Sequence, residues 1–129
     1  MSAKLFLGIS AVVAVAYGIG FLFAPEALMS AYGVAINPSA IMEVRFWGAT
    51  LTGLGIMYWL VRGSADLTAL RGILYGFSIA NIAGIWVAYN GTMAGTMNSV
   101  GWSAVGVYAL LLLGCIVTLL GLSRQPLAA

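Results

Sequence analysis

The sequence predicts an all-α fold: an integral membrane four-transmembrane-helix bundle with both termini cytoplasmic and a short interfacial helix in the first external loop. Three observations carry the prediction. Of 129 residues, 63% are apolar and only 6% are charged, whereas a water-soluble domain has roughly a quarter of its residues charged and needs them to cover its surface. The mean hydropathy of +1.08 places most of the surface in hydrocarbon, where only helices and closed barrels satisfy their backbone polar groups. Four long apolar runs follow one another along the chain, and none shows the strict alternation of a barrel strand.

The first run, residues 5–24, has no charge and is bounded by Lys4 and by Pro25-Glu26. Twenty helical residues at about 1.5 Å each cross a hydrocarbon core of ~30 Å. A secretory signal is the competing reading, but the run exceeds the usual core of ~7–15 residues, and no small-x-small cleavage pattern precedes a polar mature region. Residues Pro25 to Tyr32 read as a short helix lying in the outer interface, opened by Pro25 and capped by Gly33, with Leu28, Met29 and Tyr32 on one side. A plain turn-rich loop is the alternative. The second span, residues 38–61, starts from Asn37 as the cap and Pro38 in the first helical position. The third, residues 67–89, follows Asp66 as its cap and stops at Asn90-Gly91. Asn90-Gly91-Thr92 also matches a glycosylation acceptor, but the pattern is common by chance and reads here as a turn. The fourth, residues 100–122, ends before Ser123-Arg124-Gln125-Pro126. The whole chain, 1–129, forms one membrane domain.

Four spans bring Lys4, Arg62, Arg71 and Arg124 to one side and leave Arg45 alone on the other. Under the positive-inside rule the first side is cytoplasmic. Trp47, Trp86 and Trp102 fall near the outer helix ends, where an aromatic belt forms, and Trp59 marks the inner end of the second helix. The predicted location is a bacterial inner membrane, crossed several times.

Packing is most visible in the third helix, where Gly72, Gly76, Ala80, Gly84 and Ala88 recur every four residues. Small residues at that spacing let helix backbones approach closely, so that van der Waals contact replaces the hydrophobic drive absent in lipid. The stripe serves either the chain's own bundle or a partner, and because a four-residue interval drifts against a period of 3.6 it can serve both. Shorter pairs, Ala14 and Gly18 in the first helix and Gly48 and Thr52 in the second, carry less weight among seventeen glycines.

Few residues can carry chemistry. A single cysteine, Cys115, no histidine and three carboxylates exclude an intrachain disulfide and leave no ligand set for a metal. No cofactor is expected, and a net charge of +2 with scattered basic residues gives no reason to expect nucleic acid. Glu43 and Arg45 lie two positions apart on a helix, about 200° from each other, so they do not pair. Arg45 shares a face with Gly48, Ala49 and Thr52. If that face looks into the bundle, the arginine needs an anion, with Glu26, a lipid phosphate or an anionic ligand as the options; otherwise Glu43 and Arg45 snorkel at headgroup depth. Asn81, at the middle of the third helix, is expected to make an interhelical hydrogen bond that serves packing.

The run Phe21 to Glu26 (Phe-Leu-Phe-Ala-Pro-Glu), then Tyr32-Gly33-Val34, then Glu43-Val44-Arg45-Phe46-Trp47-Gly48 opening a glycine-rich span, resembles the small four-helix bacterial membrane proteins of the DoxX-like group. The resemblance covers the first half of the chain best. It implies a small, cofactor-free helper, since name-bearing members of that group are linked to quinone-reducing complexes as accessory subunits.

Two functions of different class follow. One is a non-catalytic accessory or scaffold subunit that packs against a larger membrane complex or against itself. The other is a small homodimeric carrier or channel, with Glu43, Arg45 and Asn81 lining a path. The central thirds of the predicted spans hold no ionisable residue, which favours the first. A lipid- or quinone-binding protein comes third, and enzymatic activity is not expected, because no nucleophile with an adjacent base can be assembled without histidine.

Overall fold

The computed structural model describes residues 1–124; the Gln125-Pro126 part of the expected terminal stop lies outside the described residues. These form five helices: α1 (Ala3–Phe23), α2 (Pro25–Ala31), α3 (Pro38–Val61), α4 (Leu67–Met93) and α5 (Gly101–Ser123). Their starts are set by local chemistry. Ser2 accepts a hydrogen bond from the Leu5 amide and Asn37 from the Ala40 amide, with Pro38 in the first turn, while one carboxylate oxygen of Asp66 accepts from both Thr68 and Ala69. In α2, Pro25 opens the helix, Leu28, Met29 and Tyr32 are half-buried, and Gly33 takes a left-handed φ of 75°.

The expectation of a four-transmembrane-helix bundle is not met. Three helices, α1, α4 and α5, are long and apolar enough to cross a membrane; α3 is not among them. Its 24 residues have the length. Their composition is the obstacle, because Glu43, Arg45, Thr50 and Thr52 and five glycine and tryptophan positions (Trp47, Gly48, Gly53, Gly55 and Trp59) dilute its aliphatic content. The count of four spans also placed both termini on the cytoplasmic side, and that placement falls with it. A second correction concerns the end of α4. Asn90-Gly91 does not stop the helix: Asn90 Nδ2 donates to the Trp86 carbonyl and Thr92 Oγ1 to that of Ala88, so both polar residues are accommodated within it. The left-handed glycine that closes α4 is Gly95, at φ 73°.

The helices pack as two antiparallel pairs, α1 with α3 and α4 with α5. In the first pair glycine sets the spacing. A Cβ added at Gly48 would lie 2.6 Å from the Leu22 amide nitrogen and 2.7 Å from the Gly18 carbonyl oxygen, and one at Gly55 would lie 2.9 Å from the Ala11 carbonyl oxygen. Backbone thus rests on backbone along a seam of Ala11, Val15, Gly18 and Leu22 against Gly48, Thr52 and Gly55. In the second pair Gly84 receives the Tyr108 ring, and Arg71 Nη2 donates to the Leu122 carbonyl at 2.7 Å, capping the last turn of α5 from the neighbouring helix.

The pairs meet at both ends. Near the end that gathers Lys4, Arg62 and Arg71, called the basic end here, the core of Phe6, Leu7, Ala11, Tyr58, Leu70, Leu74, Cys115 and Leu122 is buried. The Phe77 ring lies 4.8 Å from that of Tyr58 and 6.1 Å from that of Phe6, and Phe6 in turn lies on Gly114. At the opposite end Asn98, in the α4–α5 loop, is the fastener. Its amide donates to the Tyr32 carbonyl (2.8 Å), its Nδ2 donates to that of Ala31 (3.0 Å), and its Oδ1 accepts from the Val100 amide (2.9 Å). The end of α2 and the start of α5 therefore share one side chain.

Two outcomes follow. Gly48→Ala forces α1 and α3 apart and lowers stability by ~1–3 kcal/mol, whereas Gly53→Ala, where an added Cβ meets nothing within 4 Å, leaves it unchanged or raised; thermal unfolding in one detergent compares them. Asn98→Ala removes the two side-chain bonds at a cost of ~1–3 kcal/mol, and hydrogen exchange should speed up at Val34 and Val100 while amides in the α1–α3 seam stay protected.

Candidate functional site

The polar residues expected to matter are not brought together. Glu26 is exposed in the first turn of α2, where its charge complements the helix N-terminus. Glu43 and Arg45 are both exposed on α3. The buried side of α3 runs through Gly48, Gly55 and Tyr58, with Val44 and Thr52 half-buried beside them. Arg45 stands one position, about 100°, away from Val44 and so off that seam. An exposed arginine near a helix end carries no desolvation cost that a buried anion would have to offset. The expected face shared by Arg45, Gly48, Ala49 and Thr52 therefore divides: Gly48 and Thr52 turn inward, Arg45 and Ala49 outward.

Asn81 is 1% exposed at the middle of α4. Its Nδ2 donates to the Phe77 carbonyl of its own helix at 2.8 Å, rather than to a neighbouring helix. The hydroxyls of Thr50, Thr52, Ser78 and Thr92 likewise donate to the carbonyl four residues earlier. Two others do not. Ser10 and Thr118 are each 1% exposed, and neither hydroxyl has a partner. Cys115 is fully buried in the core as a free thiol. Among the described residues no three His, Cys, Asp or Glu side chains come close enough to hold a metal.

The small-residue stripe of α4 separates into two halves. Gly84 and Ala88 turn inward: a Cβ at Gly84 would meet Tyr108 ring carbons at 2.5–2.7 Å, and Ala88 is buried. Gly72, Gly76 and Ala80 turn outward; all three are exposed, and an added Cβ at either glycine meets nothing within 4 Å. Exposed Tyr75, Ile79 and Ile82 stand beside this open half. The drift of a four-residue interval around a 3.6-residue helix accounts for the division, and it leaves an open face of small residues flanked by larger exposed side chains along the first half of α4.

Three residues that organise the structure were not legible as such. Arg71 caps a helix 51 positions away and Asn98 joins a loop 67 positions away; no local pattern encodes either pairing. Thr118 looks like any helical threonine in the sequence, and only its unpartnered hydroxyl sets it apart. Compared with known proteins, the chain matches no family model, no curated protein and no solved structure.

Proposed function

We propose that this is a non-catalytic, multi-pass protein of a bacterial inner membrane that acts as an accessory subunit, docking through the open half of α4 onto another membrane protein. The observation that supports the reading is the pair Gly72 and Gly76, exposed and unopposed, in line with exposed Ala80. In the α1–α3 seam, Gly18, Gly48 and Gly55 are where one backbone comes to rest on another. The same device on α4, left without an opposing helix, is suited to receiving one from outside, and in lipid such close approach is the main source of helix association. Large apolar side chains are exposed along α1, α4 and α5, in keeping with a surface surrounded by acyl chains and other helices. A carrier draws less support, because Glu43 and Arg45 are exposed while Asn81 is sealed inside.

The test is co-purification. Extracted in mild detergent at native expression, the chain should elute above the size of a bare 13.4 kDa polypeptide in its micelle, with other polypeptides in stoichiometric amount. Gly76→Leu should release it as the bare chain without loss of thermal stability, since a Cβ added there points into open space, with nothing within 4 Å. A larger species made only of this chain would assign the face to self-association; elution of the native chain as the bare polypeptide would overturn the docking reading.

A further inference from the structure

The basic end holds a cleft of about 520 Å³ between the start of α1, the α3–α4 connection and the last turns of α5. Lys4, Arg62 and Ser64 lie on its wall together with Leu70, Thr118 and Leu122. Its two ionisable side chains are both cationic; neighbouring Asp66 directs its carboxylate to the amides that open α4. Arg62 is held in place, with its guanidinium carbon 3.4 Å from the Trp59 ring centroid and Nη1 donating to the Trp59 carbonyl at 2.6 Å. Guanidinium has five N–H donors in a fixed fork, so this anchoring leaves donors for a phosphate oxygen.

A second observation, independent of charge, points to an occupant. Thr118, on the same wall, is 1% exposed and its hydroxyl has no partner, although Thr50, Thr52 and Thr92 bond back to their own backbone. An unpaired buried hydroxyl is unfavourable. One beside a cleft would be relieved by an oxygen-rich ligand that reached it.

The cleft does not end in polar surroundings. A groove of about 450 Å³ runs between α1 and α3, walled by Ala11, Val12, Val15, Gly55, Ile56 and Trp59. Trp59 belongs to the groove and carries Arg62, which belongs to the cleft. The two are also joined along α1: Lys4 is on the cleft, Val12 and Val15 are on the groove, and at Gly8 between them an added Cβ would lie 3.6 Å from Arg62 Cδ. These positions recur at helical spacing on one side of α1. A cationic cleft and an apolar groove thus lie next to each other along α1, with Arg62 beside Gly8 between them.

We propose that this is a binding site for an anionic phospholipid, with its phosphate held by Lys4 and Arg62 and one acyl chain lying along the α1–α3 groove past Trp59. Basic pockets between membrane helices take acidic headgroups, both volumes are of the size of small-molecule sites, and the groove's apolar wall matches hydrocarbon. The site is built from α1, α3, α5 and the buried side of the first turn of α4 at Leu70, apart from the open face at Gly72 and Gly76, and stands whether or not that face docks a partner.

The full chain is placed in nanodiscs containing spin-labelled phosphatidylglycerol or spin-labelled phosphatidylcholine, and the immobilised fraction of each is measured. Phosphatidylglycerol should be preferred by roughly tenfold, and Lys4→Ala or Arg62→Ala should each reduce that preference by roughly fivefold. Ala16→Trp, at the far end of the groove, should release the acyl chain and lower retention of both lipids. Thr118→Val, nearly equal in volume, should weaken phosphatidylglycerol retention while leaving the thermal transition in place or raising it, since an unpaired buried hydroxyl is removed. Equal retention of the two lipids, or a preference that none of these variants changes, overturns the proposal. Full displacement by millimolar inorganic phosphate also overturns it, and would assign the cleft to a free anion. Should Arg62→Ala fail to fold, Lys4→Ala and Ala16→Trp decide the matter.

Discussion

Close contact between the α1 and α3 backbones is the constraint on which the rest of the structure depends. Where hydrocarbon surrounds the helices, burying another leucine gains little, because lipid is as apolar as the side chain; stability comes from atoms brought within van der Waals range and from hydrogen bonds between helices. Gly18, Gly48 and Gly55 supply the first by leaving no Cβ between the two backbones. The approach they allow fixes where Tyr58 emerges, and Tyr58 with Phe6 gives Phe77 of the second pair a surface to pack on. The core at the basic end is thus downstream of a few missing methyl groups one to three turns away.

The second pair is organised differently. Its contacts combine one ring filling a glycine notch, Tyr108 on Gly84, with polar bonds at the helix ends: Arg71 to the last turn of α5 and Asn98 across the α4–α5 loop. End bonds of this kind leave the length of α4 free to present a different face at each level, which is how one helix comes to be sealed at Asn81 and Ala88 and open at Gly72 and Gly76.

Much of the helical layout was legible from local chemistry. Asn37-Pro38 and Asp66 mark helix starts because capping is a matter of two or three residues, and the Pro25 segment carries its own start and stop in Pro25 and Gly33. The failures have physical causes as well. Asn90-Gly91 resembles a stop only while Asn90 has no better use for its amide, and in the helix it bonds to Trp86. Apolar run length overstated the case for α3, whose glycines and hydroxyls serve close packing at the expense of hydropathy. Among the small residues, weight given to repetition fell on the wrong helix: the isolated Gly18 and Gly48 make the tightest backbone-to-backbone contact, while three of the five regular positions in α4 face outward. Repetition along one strand of sequence reports what a helix surface offers; which helix comes to meet it depends on pairings that no single segment contains. Arg45 misled for a related reason, since one position of rotation separates the inner seam from the exposed flank.

The pairing of helices also bears on how the chain is made. Each pair is contiguous, α1 to α3 ending before Arg62 and α4 to α5 beginning after Asp66, so the first can complete its glycine seam while the second is still being synthesised. Contacts within each pair close over a few dozen residues, whereas those between pairs are few and confined to the two ends of the molecule. Such an arrangement keeps the entropic cost of long-range closure until last, and it makes the final step of assembly the docking of two finished hairpins, with Asn98 fastening one end and the Phe6, Tyr58 and Phe77 rings the other.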